Sequence, residues 1–329
     1  MINDIPKTMA SLKAYDAPKH IFLPRGMITP EEQTLLYLLA KNCYAGKGYI
    51  VDAGAFCGAS SYAFCAGLED NTKQFSRNKR VWSYDLFRTA DGYTKQYVQN
   101  NFYSYYDRQG QFKFKKHEVR TGDSFEEIYK FQTQRYSEYI NCNPGSILDY
   151  NWQDANIEIL FIDVAKTLEI QKHLFRQFLP ALSPESGILI QQDFHHAYHP
   201  YIHVAMEYLS PFFEITHSKV SASRVYRLLK PIPNDVMQTV IQHDFTNDKS
   251  YELMQSCISN SPKNEQSLLK ICGARLLVEQ EMHEQAKHAI REFVDEYSSS
   301  PGFDTYLIPT MKSAVGTFAA KELALILDA

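Results

Sequence analysis

The chain of 329 residues has only six cysteines and two tryptophans. No C-x-x-C pair occurs among the six cysteines, which argues against a structural zinc site and, at this length, against a disulfide framework. No apolar run approaches the ~20 residues needed to cross a bilayer, and the opening MINDIPKTMASLKAYD has no apolar stretch of the signal-peptide kind. A dominant charge is missing too. The 34 basic and 38 acidic side chains leave a formal net charge of −4, which gives no electrostatic reason to expect a nucleic-acid partner. These absences describe a soluble, cytoplasmic protein with no nucleic-acid or membrane partner. At 44% apolar and 22% charged residues the composition is that of a globular chain, so disordered and fibrous classes are excluded. At roughly 150 residues per domain the length allows one large domain or two modest ones. What the chain has in excess is aromatic: 22 Tyr and 20 Phe.

Charge and pattern change near Pro231-Ile232-Pro233. Residues 231–329 carry 8 basic and 14 acidic side chains, net −6, against net +2 for residues 1–230. The two prolines fix φ and restrain their predecessors, which suits a connection between domains. Three parts are expected: an N-terminal segment 1–30, a main domain 31–230 and a helical domain 231–329. Within the main domain, Thr29-Pro30-Glu31-Glu32 has the form of a helix start, with Thr29 as N-cap and Glu32 closing a capping box. Strands are expected at 49–52, 80–87, 117–122, 157–164, 187–193, 213–220 and 224–230. Helical stretches fall between some of them. Near-continuous apolar strands alternating with helices predict a doubly wound α/β fold, a mostly parallel sheet covered on both faces. The last two strands are expected to form an antiparallel edge pair. In the tail, Met282, Ala286, Ala289, Ile290 and Phe293 share one helical face, and SLLKICGARLLVEQ before them is apolar on one side, so an αα-hairpin is expected. No second copy appears at a period of about 34 residues, so a tetratricopeptide-type array is not supported.

The informative turn is YIVDAGAFCGAS at 49–60. A strand that ends in an acid and runs through glycines into a helix is a nucleotide-type site, because ligands of open α/β sheets bind at the carboxyl ends of the strands. A dinucleotide fingerprint needs G-x-G-x-x-G. Here Gly54 and Gly58 are present, but Phe56 stands where the second glycine belongs and Ala59 where the third does. No G-K-[ST] follows, which excludes a P-loop. The turn is suited to a nucleoside-like ligand without phosphates.

Asp52-x-Gly54-x-x-x-Gly58 resembles motif I of the class I S-adenosylmethionine-dependent methyltransferases, in the branch whose middle glycine is replaced. Val81-Trp-Ser-Tyr-Asp85 resembles the second strand of that family, whose terminal acid holds the cofactor ribose. Gly122-Asp123-Ser124 resembles the turn against the adenine, and Phe161-Ile-Asp163 the acid of the fourth strand. Leu182-Ser-Pro-Glu-Ser-Gly187 resembles the L-x-P-G-G lead-in to the fifth, with Glu185-Ser186 replacing its first glycine. VWSYDLF and Gln191-Gln192-Asp193 are similar to sugar O-methyltransferases of the macrocin type. The resemblance covers residues ~48–230 and implies a Rossmann-like methyltransferase fold of seven strands. It implies S-adenosylmethionine held by Asp52, Gly54, Ala55, Phe56, Gly58, Ser60, Asp85, Leu86, Asp123, Ser124 and Asp163. Asp123 also has the position of a helix N-cap, with Glu126 in a capping box.

Just past the fifth strand lie His195, His196, His199 and His203, four of the eleven histidines. Methyl transfer to a hydroxyl requires that its proton leave, and three readings of the stretch compete. In one, a Mg²⁺ or other divalent cation lowers the hydroxyl pKa. The resemblance implies Asp163 and Asp193 as its ligands, with Gln192 as a less charged third. In the second, His195 or His196 is a general base without metal. In the third, the histidines line an acceptor pocket or hold the structure, His203 above all. Lys166 stands three residues past Asp163, placed to hold the acceptor or pair with that acid. Nine of the tyrosines fall in residues 93–150, which suits a sugar or aromatic acceptor and equally a homo-oligomer interface.

The expected function is thus S-adenosylmethionine-dependent methylation of a small-molecule hydroxyl, glycosyl or phenolic. Two alternatives are a non-catalytic cofactor-binding scaffold with a helical interaction module, and an NAD-dependent oxidoreductase, which Phe56 disfavours.

Overall fold

A computed structural model describes residues 17–103 and 118–327. Among these residues no helix is long and apolar enough to cross a membrane. Seven strands form one sheet: β1 (Tyr49–Ala53), β2 (Val81–Asp85), β3 (Ile140–Pro144), β4 (Ile157–Ile162), β5 (Ile188–Gln191), β6 (Phe213–Val220) and β7 (Ser223–Leu228). Their order is β3-β2-β1-β4-β5-β7-β6. β1 pairs in parallel with both β2 and β4, β2 with β3, and β7 runs antiparallel to β5 and β6. This is a Rossmann-like, mostly parallel doubly wound sheet of seven strands, followed by a helical C-terminal region. The sheet reverses direction of growth at β1, whose two neighbours are β2 and β4, and a crevice opens at the carboxyl ends of such strands.

The chain divides into two compact units, 1–164 with 181–183, and 165–180 with 184–329. In the first, helix α1 (Pro30–Leu38) starts where the sequence indicates: Thr29 Oγ1 accepts the Glu32 N–H at 3.3 Å and Glu32 Oε2 accepts the Thr29 N–H at 2.9 Å. Helix α2 (Ala59–Glu69) follows β1, α3 (Gly92–Val98) follows β2, and α4 (Glu126–Thr133) precedes β3. β4 is buried along its whole length, Glu158 included. That carboxylate accepts the backbone N–H groups of Ala45, Lys47 and Gly48 at 2.6, 2.5 and 2.7 Å, which fixes the loop leading into β1. A buried acid is tolerated here because its oxygens are hydrogen-bonded.

One expected strand is corrected. Residues 118–122 are irregular, with His117 outside the described residues, and the third strand is Ile140–Pro144. INCNP lacks the apolar signature because β3 is an edge strand paired only with β2, and only Ile140 is buried. The lead-in to β5 also departs from a plain glycine turn: Glu185 holds φ +67°, the left-handed conformation that glycine adopts more cheaply.

The second unit joins β5–β7 to helices α5 (Leu168–Gln177), α6 (Pro200–Tyr208), α7 (Asn234–Gln242), α8 (Asn247–Ser259), α9 (Gln266–Glu279), α10 (His283–Tyr297), α11 (Ile308–Val315) and α12 (Thr317–Leu327). α6 packs on α8 and α9, and Arg224 of β7 forms a buried ion pair with Glu265 at 3.1 Å. Burial of both partners makes that contact inseparable from the fold of the unit. The antiparallel β6–β7 pair and the α9–α10 hairpin form as expected, the latter burying Ala286, Ile290 and Phe293. Met282 precedes α10 as its N-cap.

Candidate functional site

In the first unit the turn after β1 folds over the end of β2. The N–H groups of Gly54 and Ala55 both donate to the Tyr84 carbonyl, at 2.9 and 3.1 Å, and Gly58 N–H closes the turn on the Ala55 carbonyl at 2.8 Å. Gly54 holds φ +105° and Gly58 φ +101°. A Cβ on Gly54 would lie 2.8 Å from the Asp163 carbonyl carbon, and one on Gly58 would lie 2.7 Å from Thr133 Cγ2. Both glycines thus answer to the protein itself, Gly54 to the chain leaving β4 and Gly58 to α4. Phe56 adopts φ +43°, a left-handed conformation costing about 1–2 kcal/mol in a side-chain-bearing residue. Its ring meets Tyr97 and Phe125 edge to face at 5.4 and 5.0 Å, which holds it there.

Asp85 organises this end of the sheet. Its Oδ2 accepts the Phe56 N–H at 2.9 Å and its Oδ1 accepts the Phe87 N–H at 2.7 Å. Burial raises its pKa, and the two backbone hydrogen bonds oppose the rise. A carboxylate has about four lone-pair sites, so a pair of N–H groups leaves it able to accept a vicinal diol. Leu86 beside it is exposed. The loop at 120–125 docks on the segment after β2: Thr89 N–H donates to the Asp123 carbonyl at 3.0 Å and Phe125 N–H to the Phe87 carbonyl at 2.9 Å. Ser124 is exposed, and the N-cap of α4 is Phe125, which corrects the expected capping box at Asp123. The Asp123 carboxylate instead accepts the Arg120 N–H at 2.8 Å. Asp163, directly after β4, is half-buried, and its N–H donates to the Ala53 carbonyl at 2.8 Å.

Asp52 and Ser60 turn inward and bond to one another. Asp52 is fully buried and accepts the Ser60 hydroxyl at 2.8 Å and the Ser61 hydroxyl at 2.5 Å, while Ser61 also meets Ser83 at 2.9 Å. Burial pushes the Asp52 carboxyl up to about 7, with the Ser61 and Ser60 hydrogen bonds working against it. It therefore braces the first turn of α2 from below. The sequence also misses Gln132 of α4, which donates to the Cys57 carbonyl at 2.6 Å and the Arg25 carbonyl at 2.9 Å, and accepts the Arg25 N–H at 2.7 Å. A glutamine on an amphipathic helix reads as a solvated residue, and nothing local marks it as a clamp.

In the second unit the chain leaves β5 in a short 3-10 turn, Gln192–His195. Phe194 is its buried anchor, with His203 at 4.6 Å, His195 at 5.3 Å and the Arg224 guanidinium at 3.9 Å from the ring centre. The histidines divide accordingly. His195 is buried, its Nε2 donates to the Ser218 carbonyl at 2.9 Å, and burial lowers its pKa to about 2. This corrects the expectation of a base at His195: the ring lies in the interior. His203 is structural as expected, fully buried with Nε2 donating to the Phe194 carbonyl at 2.7 Å. His199 Nδ1 lies 2.9 Å from the Tyr201 hydroxyl, which donates to the Ala165 carbonyl at 3.0 Å.

His196 faces out. Its side chain is 46% exposed, and Nδ1 lies 2.8 Å from Asp193 Oδ1. The other oxygen of Asp193 is bound by the Lys166 ammonium. Burial pushes the Asp193 carboxyl up, but the His196 hydrogen bond and the Lys166 charge outweigh it and bring the pKa down to about 2. A carboxylate on Nδ1 places that ring proton at Nδ1 and leaves the Nε2 lone pair to accept one. Close by in sequence, Gln192 Oε1 and both carboxamide atoms of Gln191 are buried without a hydrogen-bond partner among the described residues. Orphaned buried polar groups of this kind mark a place where a ligand or water belongs.

The expected metal ligands do not fit a divalent cation. Each Asp193 oxygen already has a cationic or N–H partner, and the described residues contain no group of three or more His, Cys, Asp or Glu placed to hold a metal. Hard cations take several oxygen ligands, mostly carboxylates; of the two expected carboxylates, Asp193 is already engaged on both oxygens, and Gln192 brings only a neutral amide.

No protein-family model and no curated protein sequence matches the chain. Similar solved structures include an O-methyltransferase from Bacillus cereus in complex with SAH, at 15% identity and TM-score 0.33, covering 77% of this chain and 81% of that one. A candidate O-methyltransferase from Klebsiella pneumoniae is similar at 10% identity and TM-score 0.40, covering 67% of this chain and 94% of that one.

Proposed function

We propose that the chain binds S-adenosylmethionine and transfers its methyl group to a hydroxyl of a small molecule, glycosyl or phenolic. The observation that carries this reading is Asp85, a half-buried carboxylate fixed by the Phe56 and Phe87 N–H groups at the carboxyl end of β2, next to the strand where the sheet changes direction. A carboxylate so held selects a ribose diol, and the turn beside it has none of the free glycine backbone that a pyrophosphate needs, since Gly54 and Ala55 donate to Tyr84. When bound, the cofactor supplies an electrophilic methyl on a sulfonium. His196 accepts the proton of the acceptor hydroxyl at Nε2, with Asp193 holding the ring through Nδ1. Gln191 and Gln192 provide hydrogen bonds to the polar acceptor.

The test is the thermal midpoint of the purified protein with S-adenosylmethionine or S-adenosylhomocysteine, and with NAD as control. A ligand at about 100 times its Kd stabilises by about 2.7 kcal/mol. At about 2–4 °C per kcal/mol for a chain of this size, the midpoint should rise by several degrees. A rise with the sulfonium ligand and none with NAD supports the reading. No rise in a folded, cofactor-free sample sinks it. A rise without turnover on a broad panel of hydroxyl acceptors favours a non-catalytic cofactor-binding protein, whose interaction module would be the helices that follow β7.

A further inference from the structure

The acid at the end of β5 has a cation, and that cation belongs to the chain. Asp193 is 4% exposed, its Oδ2 is bound by the Lys166 ammonium and its Oδ1 by His196 Nδ1 at 2.8 Å. We propose that Lys166 takes the place of the divalent cation that the strand-end acids suggest, so that methyl transfer by this chain proceeds without a metal. The inference rests on the methyltransferase reading and names how its site is charged.

Three physical points carry it. A lysine ammonium is a compact point charge with rotatable donors on a flexible stem, so it compensates a buried carboxylate much as a small cation would. Unlike a metal it offers no open coordination position, and it repels a second cation brought to the same oxygen. With the lysine in place, Asp193 is fixed as the partner of His196, which ties the ring to one orientation. Lys166 is therefore a positioning residue: it acts on the reaction through Asp193 and His196. Of the other two expected ligands, Asp163 and Gln192, the second presents a neutral amide oxygen, which does not replace the carboxylate charge that Asp193 has already given to Lys166.

The experiment is a Mn²⁺ titration of the chelator-treated full chain, followed by the paramagnetic resonance signal of free Mn²⁺, on the wild type, Lys166→Met and Lys166→Gln. Circular dichroism establishes that each variant is folded. The wild type is expected to bind no Mn²⁺ below the millimolar range. Removal of the ammonium is expected to expose the Asp193 carboxylate and tighten Mn²⁺ binding by about tenfold or more, the scale on which neighbouring groups tune metal sites. Micromolar Mn²⁺ binding by the wild type overturns the proposal. So does a folded variant that gains no affinity, because Lys166 is then not what excludes the cation. S-adenosylhomocysteine binding is measured on the same samples. Its absence would sink the methyltransferase reading by itself, while the Mn²⁺ result would still decide whether Lys166 keeps a cation out.

Discussion

Asp85 and Phe56, twenty-nine positions apart, are joined by a hydrogen bond of 2.9 Å from the Phe56 N–H to the carboxylate. The bond ties the strained turn after β1 to the end of β2. The same carboxylate that is proposed to read the cofactor ribose also sets the shape of the loop beneath it. Phe56 can keep its φ of +43° because its N–H has this partner and its ring has two aromatic neighbours. Backbone strain of this kind concentrates at functional sites.

Asp85→Ala should therefore weaken S-adenosylhomocysteine binding by one to two orders of magnitude, about 1.5–3 kcal/mol for a charge-assisted hydrogen-bond pair. Calorimetric titration checks this. Unchanged affinity in a folded variant would remove Asp85 from the cofactor site.

Gly58→Ala should destabilise the protein by about 2–4 kcal/mol, because it adds a left-handed penalty of about 1–2 kcal/mol to a steric conflict. The conflict is with Thr133 Cγ2 at 2.7 Å, so Thr133→Ser in the same chain should recover only the steric share. Chemical denaturation of the single and double variants separates the two contributions. Full recovery by Thr133→Ser would mean that φ is not a constraint at Gly58.

His196 and His195 should part in opposite directions. His196→Gln should lower turnover about 10²–10⁴-fold, the usual weight of a general base, while leaving stability and cofactor affinity near those of the wild type. His195→Gln should leave the base in place but lower stability, since it disturbs a buried ring bonded to the Ser218 carbonyl. Equal turnover losses with equal stability losses would show that neither histidine is a base.

Glu265→Gln should cost about 3–5 kcal/mol, because it leaves the Arg224 guanidinium buried without its charge partner. The Ser218 hydroxyl donates to the same carboxylate oxygen at 2.6 Å, and the amide oxygen of the variant can keep that hydrogen bond but not the charge. An urea midpoint unchanged from wild type would place this ion pair among the dispensable ones.

His203 gives the pH dependence of stability a definite sign. Burial lowers its pKa to about 4, so between the unfolded value of about 6.5 and that figure the unfolded chain binds a proton that the native chain does not. Stability from this residue is full above about pH 6.5 and is lost as the pH falls toward 4. His203→Gln should flatten that part of the stability curve, measured as urea midpoints across pH 4–7. A slope unchanged by the substitution would assign the acid sensitivity to other groups.

The α/β alternation, the antiparallel pair at the sheet edge and the helix start at Thr29 were legible in the sequence, because each is written in local signals: apolar periodicity, strand-ending acids, a capping box. The strand at 140–144 was not, since an edge strand with one neighbour and one buried residue has no such pattern. Nor was the buried Arg224–Glu265 pair, because charge composition says nothing about which side chains meet across forty-one positions.

For the site, the sequence by itself determined which chemical types stand at the strand ends: acids in the last residues of β1 and β2 and directly after β4, and an acid with histidines after β5. Only the tertiary structure decided what each one faces. Asp52 turns under α2 to Ser60 and Ser61, Asp85 holds two backbone N–H groups, and Asp193 is shared between Lys166 and His196. Of two adjacent histidines, one ring is packed on Phe194 and the other is open to solvent. Residue type fixes what a side chain can donate or accept. Burial and partner are set by contacts between distant segments, and those contacts separate an interior acid from an accessible one and a buried histidine from an exposed one.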